Sequence, residues 1–176
     1  MFYADLLKLP DEQFTLPEEF AVECKKSENE ISKEELDTLI FYRRERIIRH
    51  QLKDRFSKSS RLWLIKSNGQ VAGFVWSVRE ATIEPYYFPL TSSDIHLFDN
   101  EIFYDYRGRG INSHLINYAL FALKEEGMSR AYIETAVRNV REIRSLAKTY
   151  FSSYGSATKL RILGHNISFW QKTKRA

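Results

Sequence analysis

Residues 102–116, IFYDYRGRGINSHLI, join a strand-like run to an apolar helical pattern through two glycines. Gly108 and Gly110 stand two residues apart where the helix is predicted to start. A helix start exposes unpaired N–H groups and the positive end of the helix dipole. Glycine lets the backbone bend sharply there and lets a ligand approach closely. The stretch therefore predicts an anion site, typically one for phosphate. A simple chain turn is the alternative.

The composition indicates one domain over residues 1–176, long enough for a sizeable hydrophobic core. The net charge of +4 is a mild excess that suits an acidic ligand as well as nucleic acid. The single cysteine, Cys24, cannot form an internal disulfide, which favours a reducing compartment. One cysteine and four scattered histidines do not make a metal-ligand cluster, so we expect no metal.

The N-terminal segment, MFYADLLKLPDEQF, lacks the basic region and long apolar run of a signal peptide. No apolar run reaches membrane-spanning length. We therefore expect a cytoplasmic protein that does not enter the membrane.

Upstream of the glycines, residues 21–26 suggest a strand, and residues 32–56 show helical spacing of apolar side chains. Ser32 and Glu35 have capping-box spacing, so we predict one long amphipathic helix. Its many lysines and arginines indicate a solvated face, with an RNA-binding face as the alternative. Residues 61–78 form two apolar runs around Asn68-Gly69, which predicts a hairpin with a type I′ turn.

Further elements follow from the same reasoning. The segment 80–93, EATIEPYYFPLTSS, has two prolines and three adjacent aromatics and should be a loop. We expect its aromatics either to line a ligand pocket or to cap an edge of the core. We predict strands at 94–106, 130–137, 159–164 and 167–172, and helices from Ile111 to a stop at Gly127 and over 139–151.

The order of elements predicts an α/β fold of the α+β type, with a single mixed, mostly antiparallel sheet flanked by helices. The strands before Gly108 and after Gly127 should lie side by side, run parallel and part near the glycines. A Rossmann fold is excluded, because the glycine spacing is not G-x-G-x-x-G and an antiparallel hairpin precedes it.

The sequence resembles the GCN5-related N-acetyltransferase (GNAT) family. The resemblance rests on YRGRGIN, residues 106–112, between a strand and a long helix, and element order extends it over about residues 20–170. The family motif begins with Arg or Gln, followed by any two residues and a Gly. One further variable residue and then Gly or Ala complete the motif. Arg107 and Gly110 fit this pattern, whereas Asn112 stands where a small residue is usual.

The resemblance implies that the chain binds acetyl-coenzyme A. Backbone N–H groups of the glycine loop would hold the pyrophosphate, and the end of the preceding strand would pair with the pantetheine arm. These residues are Arg107, Gly108, Arg109, Gly110, Ile111, Asn112 and Ser113 for the loop, and Ile102, Phe103 and Tyr104 for the strand. Asn139 matches an asparagine that contacts the cofactor. We expect the Asn112 side chain to point away from the phosphates or to cap the helix.

Transfer to an amine also needs groups that move protons. Glu101 and Asp99 are the candidate bases, on one face of the strand unless a bulge intervenes. Their alternative role is to pair with nearby arginines. The family often has a tyrosine acid seven residues after the asparagine, where this chain has Leu146, so Tyr150 is the nearest substitute. His96 and His114 are weaker candidates.

The resemblance thus implies an N-acetyltransferase that moves an acetyl group from acetyl-coenzyme A directly to an amine. We expect a small-molecule acceptor, with an amino sugar possible because loop aromatics stack on sugars. The alternatives are a non-catalytic protein of the same fold that binds a cofactor or partner, and an RNA-associated module resting on the basic helix. The chain would be a monomer or homodimer, and nucleic acid is the less favoured partner.

Overall fold

The computed structural model of the chain describes residues 1–79, 90–162 and 165–172. Most of the predicted aromatic loop, residues 80–89, lies outside the described residues. The regular elements, in chain order, are β1 (Phe2–Asp5), β2 (Phe20–Lys25), α1 (Lys33–Arg43), α2 (Glu45–Ser57), β3 (Arg61–Ser67), β4 (Gln70–Arg79), β5 (Asp94–Ile102), α3 (Ile111–Glu125), β6 (Arg130–Ile133), α4 (Val140–Leu146), β7 (Ser152–Ser153), β8 (Gly155–Ile162) and β9 (His165–Lys172).

The main sheet has seven strands in the order β2-β3-β4-β5-β6-β1-β7. β5 and β6 run parallel, and the other neighbouring pairs of this sheet run antiparallel. The predicted fold class, a mixed and mostly antiparallel sheet with helices, is confirmed. The last two strands, β8 and β9, pair with each other in a separate two-stranded sheet.

The sheet is a middle layer with a hydrophobic cluster on each face. Successive residues of β4 point to opposite faces, so Val75 packs in one cluster and Phe74 and Trp76 in the other. Leu115 and other apolar residues of α3 cover the first face, and Leu52 with its neighbours in α1 and α2 covers the second. This two-sided burial explains why every residue of β4 from Val71 to Val78 is buried.

The β3–β4 hairpin forms as predicted. Asn68 and Gly69 both have positive φ, 49° and 82°, which is the conformation of a type I′ turn. The buried Trp63 Nε1 donates to Ser77 Oγ across the pair at 2.9 Å. The turn residues and the apolar runs therefore act together to fix the register.

The predicted single helix over 32–56 is wrong in one respect, because the chain breaks into α1 and α2 at Arg44. Arg44 has a φ of 69°, outside helical geometry, although the capping box of Ser32 and Glu35 forms as expected. The break turns the chain so that Leu39 of α1 and Ile48 of α2 pack in one cluster.

The strand β1 was not predicted from the sequence. It pairs with β6 from Phe2↔Ile133 to Asp5↔Arg130, and its other edge pairs with β7. Its four residues are too few to show a clear strand period. The N-terminal segment therefore completes the sheet beyond β6.

β5 and β6 lie side by side and parallel, as predicted, and then part. Their pairing runs from Asp94↔Arg130 to Leu97↔Ile133, after which β5 continues along β4 alone. A register shift interrupts β4 and β5, and Asp99 at this bulge has a φ of 46°. Gly73 lies so close to β5 that a Cβ there would stand 2.5 Å from the Glu101 carbonyl oxygen. The parted strands leave a gap that leads toward the glycine loop.

Candidate active site

The glycine loop at the start of α3 presents unpaired donors. Gly108 and Gly110 adopt φ of 83° and 76°, which non-glycine residues rarely tolerate. Gly110 is the N-cap, and its carbonyl accepts from Ser113 N and His114 N. In the part of the chain that the structure describes, the N–H groups of residues 108–112 have no hydrogen-bond partner. The loop therefore has the donor-rich geometry that binds an anion.

A cleft of about 850 Å³ opens beside the loop, between the end of β5 and α4. This volume is typical of a site for a cofactor or a small ligand. Most of the predicted cofactor residues line it, namely Ile102, Arg107, Gly108, Gly110, Ile111, Asn112, Ser113 and Asn139. The structure thus brings these residues together around one cavity.

Three predicted cofactor residues are absent from the cleft lining. Phe103 is fully buried, its ring stacks on Tyr42 at 3.9 Å, and its N–H donates to Ala72 O. Tyr104 is 61% exposed and begins a short 3₁₀ turn, so the predicted strand over 94–106 ends at Ile102. Arg109 reaches instead over the ring of Tyr106. The part of the strand that can meet a ligand is therefore shorter than predicted.

Asn112 does not cap α3, because Gly110 occupies that position. Its side chain crosses to α4, where Nδ2 donates to Ser145 Oγ at 2.8 Å and lies 3.4 Å from both carboxylate oxygens of Glu142. The predicted capping role is wrong, and the side chain lines the cleft. Asn139 is the residue that caps a helix, since its Oδ1 accepts from Glu142 N at the start of α4.

The two candidate bases, Asp99 and Glu101, share one arginine. Arg43, at the end of α1, binds Asp99 Oδ1 through Nη2 at 2.8 Å and Glu101 Oε2 through Nε. Arg55 of α2 contacts the other oxygen of Asp99. Burial alone would raise the pKa of Asp99, but the hydrogen bonds and charges of both arginines outweigh it and hold that pKa below its ordinary value.

Asp99 is therefore poorly suited to the reserve base role that the sequence suggested, because a carboxylate with a lowered pKa takes up a proton less readily. Its carboxylate instead ties α1 and α2 to the bulge of β5. Glu101 keeps a place in the cleft lining, beside Arg107 at 3.8 Å. Of the two carboxylates, Glu101 alone lines the cavity.

We predict that the stabilising contribution of Asp99 depends on pH. Because its folded pKa lies below the ordinary 3.8, the ion pairs stabilise the fold above that value and are lost as pH falls through the lower folded pKa. Asp99→Asn should lower the urea midpoint clearly at pH 7 and much less near about pH 2, below the ordinary carboxyl range. Equal losses at both pH values would contradict this assignment.

Tyr150, the predicted proton donor, lies outside the cleft lining. Its side chain is 42% exposed, and its ring packs edge-on against Phe121 of α3. Leu146, where the family often has a tyrosine, is fully buried in the core. The position of Tyr150 therefore gives no support to a role in protonating a ligand in this cleft.

The two histidines are held by their neighbours. His96 is buried, and its Nε2 lies 2.8 Å from Glu134 Oε2. His96 precedes Leu97, the last residue of β5 that pairs with β6. His114 packs between the rings of Phe14 and Phe20. Neither histidine is among the residues that line the cleft.

Glu142 is one of the cleft residues that sequence reasoning missed. It lines the cleft from α4 and receives a hydrogen bond from Asn100 Nδ2 at 2.9 Å. Burial raises its pKa, and the Asn100 and Asn112 amides oppose this only in part. A Glu three residues after Asn139 also fits an ordinary helix start, so the sequence carried no separate signal for it.

Within the described residues, no group of three or more histidine, cysteine or acidic side chains could hold a metal ion. The same part of the chain contains no helix that is both long and apolar enough to cross a membrane.

Comparison with known proteins gives a family match. The family model described as "Acetyltransferase (GNAT) family" matches residues 19–149, about three quarters of the chain. This match includes α1 to α4, the glycine loop and all of the residues that line the cleft. A search of curated proteins found no match.

Solved structures share the fold at low sequence identity. An IAA acetyltransferase from Bacillus cereus ATCC 14579 is 15% identical with a TM-score of 0.52, covering 84% of this chain and 92% of its own. An aminoglycoside acetyltransferase, meta-AAC0020 from an uncultured soil metagenomic sample, is 14% identical with a TM-score of 0.53, covering 74% and 87%. AAC(6')-Iy in complex with a bisubstrate analogue of coenzyme A is 13% identical with a TM-score of 0.52, covering 71% and 85%.

Proposed function

The chain belongs to the acetyltransferase (GNAT) family, and from this premise we propose that it transfers an acetyl group from acetyl-coenzyme A to the amine of a small molecule. The observation that carries the proposal is the row of unpaired N–H groups over residues 108–112, at a helix start beside a cleft of about 850 Å³. Pyrophosphate is the anion of coenzyme A that such a loop suits.

The charge of the cleft also suits this cofactor. Arg107 lines it near the loop, and Arg141, Arg144 and Lys148 line it from α4 and the residues that follow. Cationic side chains around free N–H donors favour a ligand with several phosphate charges. We propose that the loop residues 107–113 hold the pyrophosphate and that Ile102 and Asn139 contact the pantetheine arm.

Bound acetyl-coenzyme A would supply the acetyl thioester, and the protein would hold the amine close to it. An alkyl amine is mostly protonated at neutral pH, with an unperturbed pKa of about 10, so a group must remove a proton before attack. We propose Glu101 for this step, directly or through water, because it lies in the cleft lining at the end of β5. Water supplies the proton to the thiolate, since Tyr150 lies outside that lining.

A small molecule remains the proposed acceptor, and an amino sugar is one possible class. The aromatic loop that suggested a sugar falls largely outside the described residues. The similarity to an aminoglycoside acetyltransferase, at 14% identity, is a similarity of fold and does not identify the acceptor of this chain. We therefore propose the acceptor by its chemistry, a primary amine, and choose the test accordingly.

A second candidate function is a protein of this fold that binds coenzyme A without catalysis. The observations that favour it are the position of Tyr150 outside the cleft and the Asn112 side chain that crosses to α4. Under this alternative the cofactor binds, but no amine is acetylated.

Two measurements test the proposal. Calorimetric titration should show acetyl-coenzyme A binding to the protein, and absence of binding would reject both candidate functions. Release of coenzyme A thiol with a panel of amino sugars, polyamines and amino acids should then identify an acceptor. Binding without thiol release from any amine would favour the non-catalytic alternative.

The thiol assay has one internal source of background, Cys24. Burial raises the pKa of this thiol to about 11, so it should react slowly with a thiol reagent at neutral pH. A Cys24→Ser variant provides the control, and it should give the same acceptor profile with a lower blank.

A further inference from the structure

Two arginines and two carboxylates form an ion-pair network on the side of the sheet that α1 and α2 cover. Arg55 of α2 and Arg43 of α1 both contact Asp99 at the bulge of β5. Arg43 also contacts Glu101, which lines the cleft. We call these four residues the ion-pair network. Its formal charges cancel, because two cations face two anions.

Most of the hydrogen bonds within the network go to Asp99. Arg43 donates to its carboxylate from Nη1 at 3.1 Å and from Nη2 at 2.8 Å, and Arg55 donates from Nη1. Glu101 Oε2 receives the Nε hydrogen bond of Arg43, and Glu101 Oε1 lies 3.8 Å from Arg107 Nη2. Asp99 therefore offsets much of the positive charge that would otherwise act on Glu101.

The two cations of the network are held in place by aromatic rings. Arg55 is 8% exposed, and its guanidinium lies 5.0 Å from the ring centroid of Trp76 and 5.2 Å from that of Phe98. The guanidinium of Arg43 lies 4.9 Å from the ring centroid of Phe74. Such contacts favour a cation over a ring face. Both cations would therefore stay near the bulge if the carboxylate between them lost its charge.

Further charged groups face the cleft from the glycine loop and from α4 and the residues that follow it. They are Arg107, Arg141, Glu142, Arg144 and Lys148. Cations predominate among these groups, so this side of the cleft has little negative charge that could replace that of Asp99.

We propose that Asp99 and Arg55 are positioning residues that keep the charge around Glu101 balanced, so that Glu101 can accept a proton from the acceptor amine. In that step the proton passes from the ammonium nitrogen to the carboxylate, directly or through water. This role rests on the proposed function, because it requires Glu101 to act as the general base. It gives α1 and α2 a part in the reaction, since they supply both arginines.

Single substitutions at the two positions should change the kinetics in opposite directions. The sensitive region is the acid limb of the kcat–pH profile, where activity falls as the pH drops. Asp99→Asn leaves two cations beside Glu101, so the acid limb should move to lower pH and kcat at neutral pH should fall about tenfold. Arg55→Met leaves one cation for two carboxylates, so the acid limb should move to higher pH. Methionine suits a site between two aromatic rings.

The double variant Asp99→Asn/Arg55→Met removes one charge of each sign. It should recover most of the kcat that Asp99→Asn loses, and its acid limb should return close to that of wild type. A residue that only holds the backbone would not give this recovery. As the matched control, Glu45→Gln removes the carboxylate of an exposed ion pair on α2 and should leave kcat and its pH profile unchanged.

Steady-state kinetics with acetyl-coenzyme A and the amine found in the thiol-release panel give these values. The KM for acetyl-coenzyme A should stay within about twofold in every variant, because the network acts on the proton transfer. Thermal melting checks that each variant is folded. If Asp99→Asn does not fold, the direction of the shift in Arg55→Met decides the question.

The remaining outcomes separate this role from the proposed function. An acid limb that stays in place in both single variants would overturn the inference, and so would a double variant no more active than Asp99→Asn. Wild-type turnover in Glu101→Gln would overturn it while transfer to the amine stood. If acetyl-coenzyme A bound but no amine were acetylated, the proposed function would fail and the inference with it.

Discussion

Gly110→Pro is expected to abolish coenzyme A binding, with a loss in affinity of about 100-fold or more. Gly110 has a φ of 76°, whereas proline is fixed near about −65°, so the loop must leave its present shape. The substitution also removes one of the free N–H donors at the start of α3. A hydrogen bond to a charged group contributes about 1.5–3 kcal/mol, so losing more than one gives this magnitude.

The control for this prediction is Gly69→Pro in the β3–β4 turn. Gly69 also has a positive φ, 82°, and a Cβ added there would meet nothing within 4 Å. The Gly69→Pro variant therefore measures how a glycine-to-proline change affects stability at a position away from the cleft. Arg109→Ala should weaken binding only a few-fold, because Arg109 is not among the cleft-lining residues. Titration of all three variants gives the comparison, and wild-type affinity in Gly110→Pro would refute the pyrophosphate site.

Glu101→Gln is expected to lower kcat by about 100-fold once an acceptor is known, because a positioned general base contributes about 10²–10⁴-fold. Glutamine has nearly the same shape but cannot take up a proton at neutral pH. The affinity for acetyl-coenzyme A should change little, and the pH dependence of kcat should flatten. Steady-state kinetics over a range of pH gives these values.

The ion pair between Glu101 and Arg43 requires its own control. Arg43→Lys keeps a cation near Glu101 but cannot reproduce contacts to both Asp99 and Glu101 in the same geometry. If Glu101→Gln acted only by releasing Arg43, both variants should lower kcat alike. Retained wild-type turnover in Glu101→Gln would exclude Glu101 as the base, and catalysis would then rest on positioning and on water.

Much of the fold could be predicted because local signals agreed with one another. Asn68-Gly69 marked a hairpin, and the glycine pair marked the start of α3. The break at Arg44 could not be predicted, because the sequence around it keeps helical spacing, and the packing of α1 and α2 in one cluster appears only in the folded chain. The short strand β1 is specified by partners distant in sequence, Arg130 to Ile133, which a local pattern does not contain.

The site was predictable where backbone geometry determines it. The glycine loop needs particular residues at fixed spacing, and Arg107, Gly108 and Gly110 reach the cleft as expected. Side-chain roles were less predictable, since they depend on contacts between distant elements. Asp99 is held by arginines from α1 and α2, and Glu142 is recognisable only beside Asn100 and Asn112.

The close approach of Gly73 to β5 has a consequence for directed evolution of this protein. Any side chain at position 73 would meet the backbone of Glu101 and Ile102, the two residues that lead from the bulge into the cleft. Random libraries aimed at a new acceptor should therefore leave position 73 as glycine. Diversity is better placed on exposed surface such as Val137 and Val140, next to Asn139 at the cleft, where the backbone of β5 is not displaced.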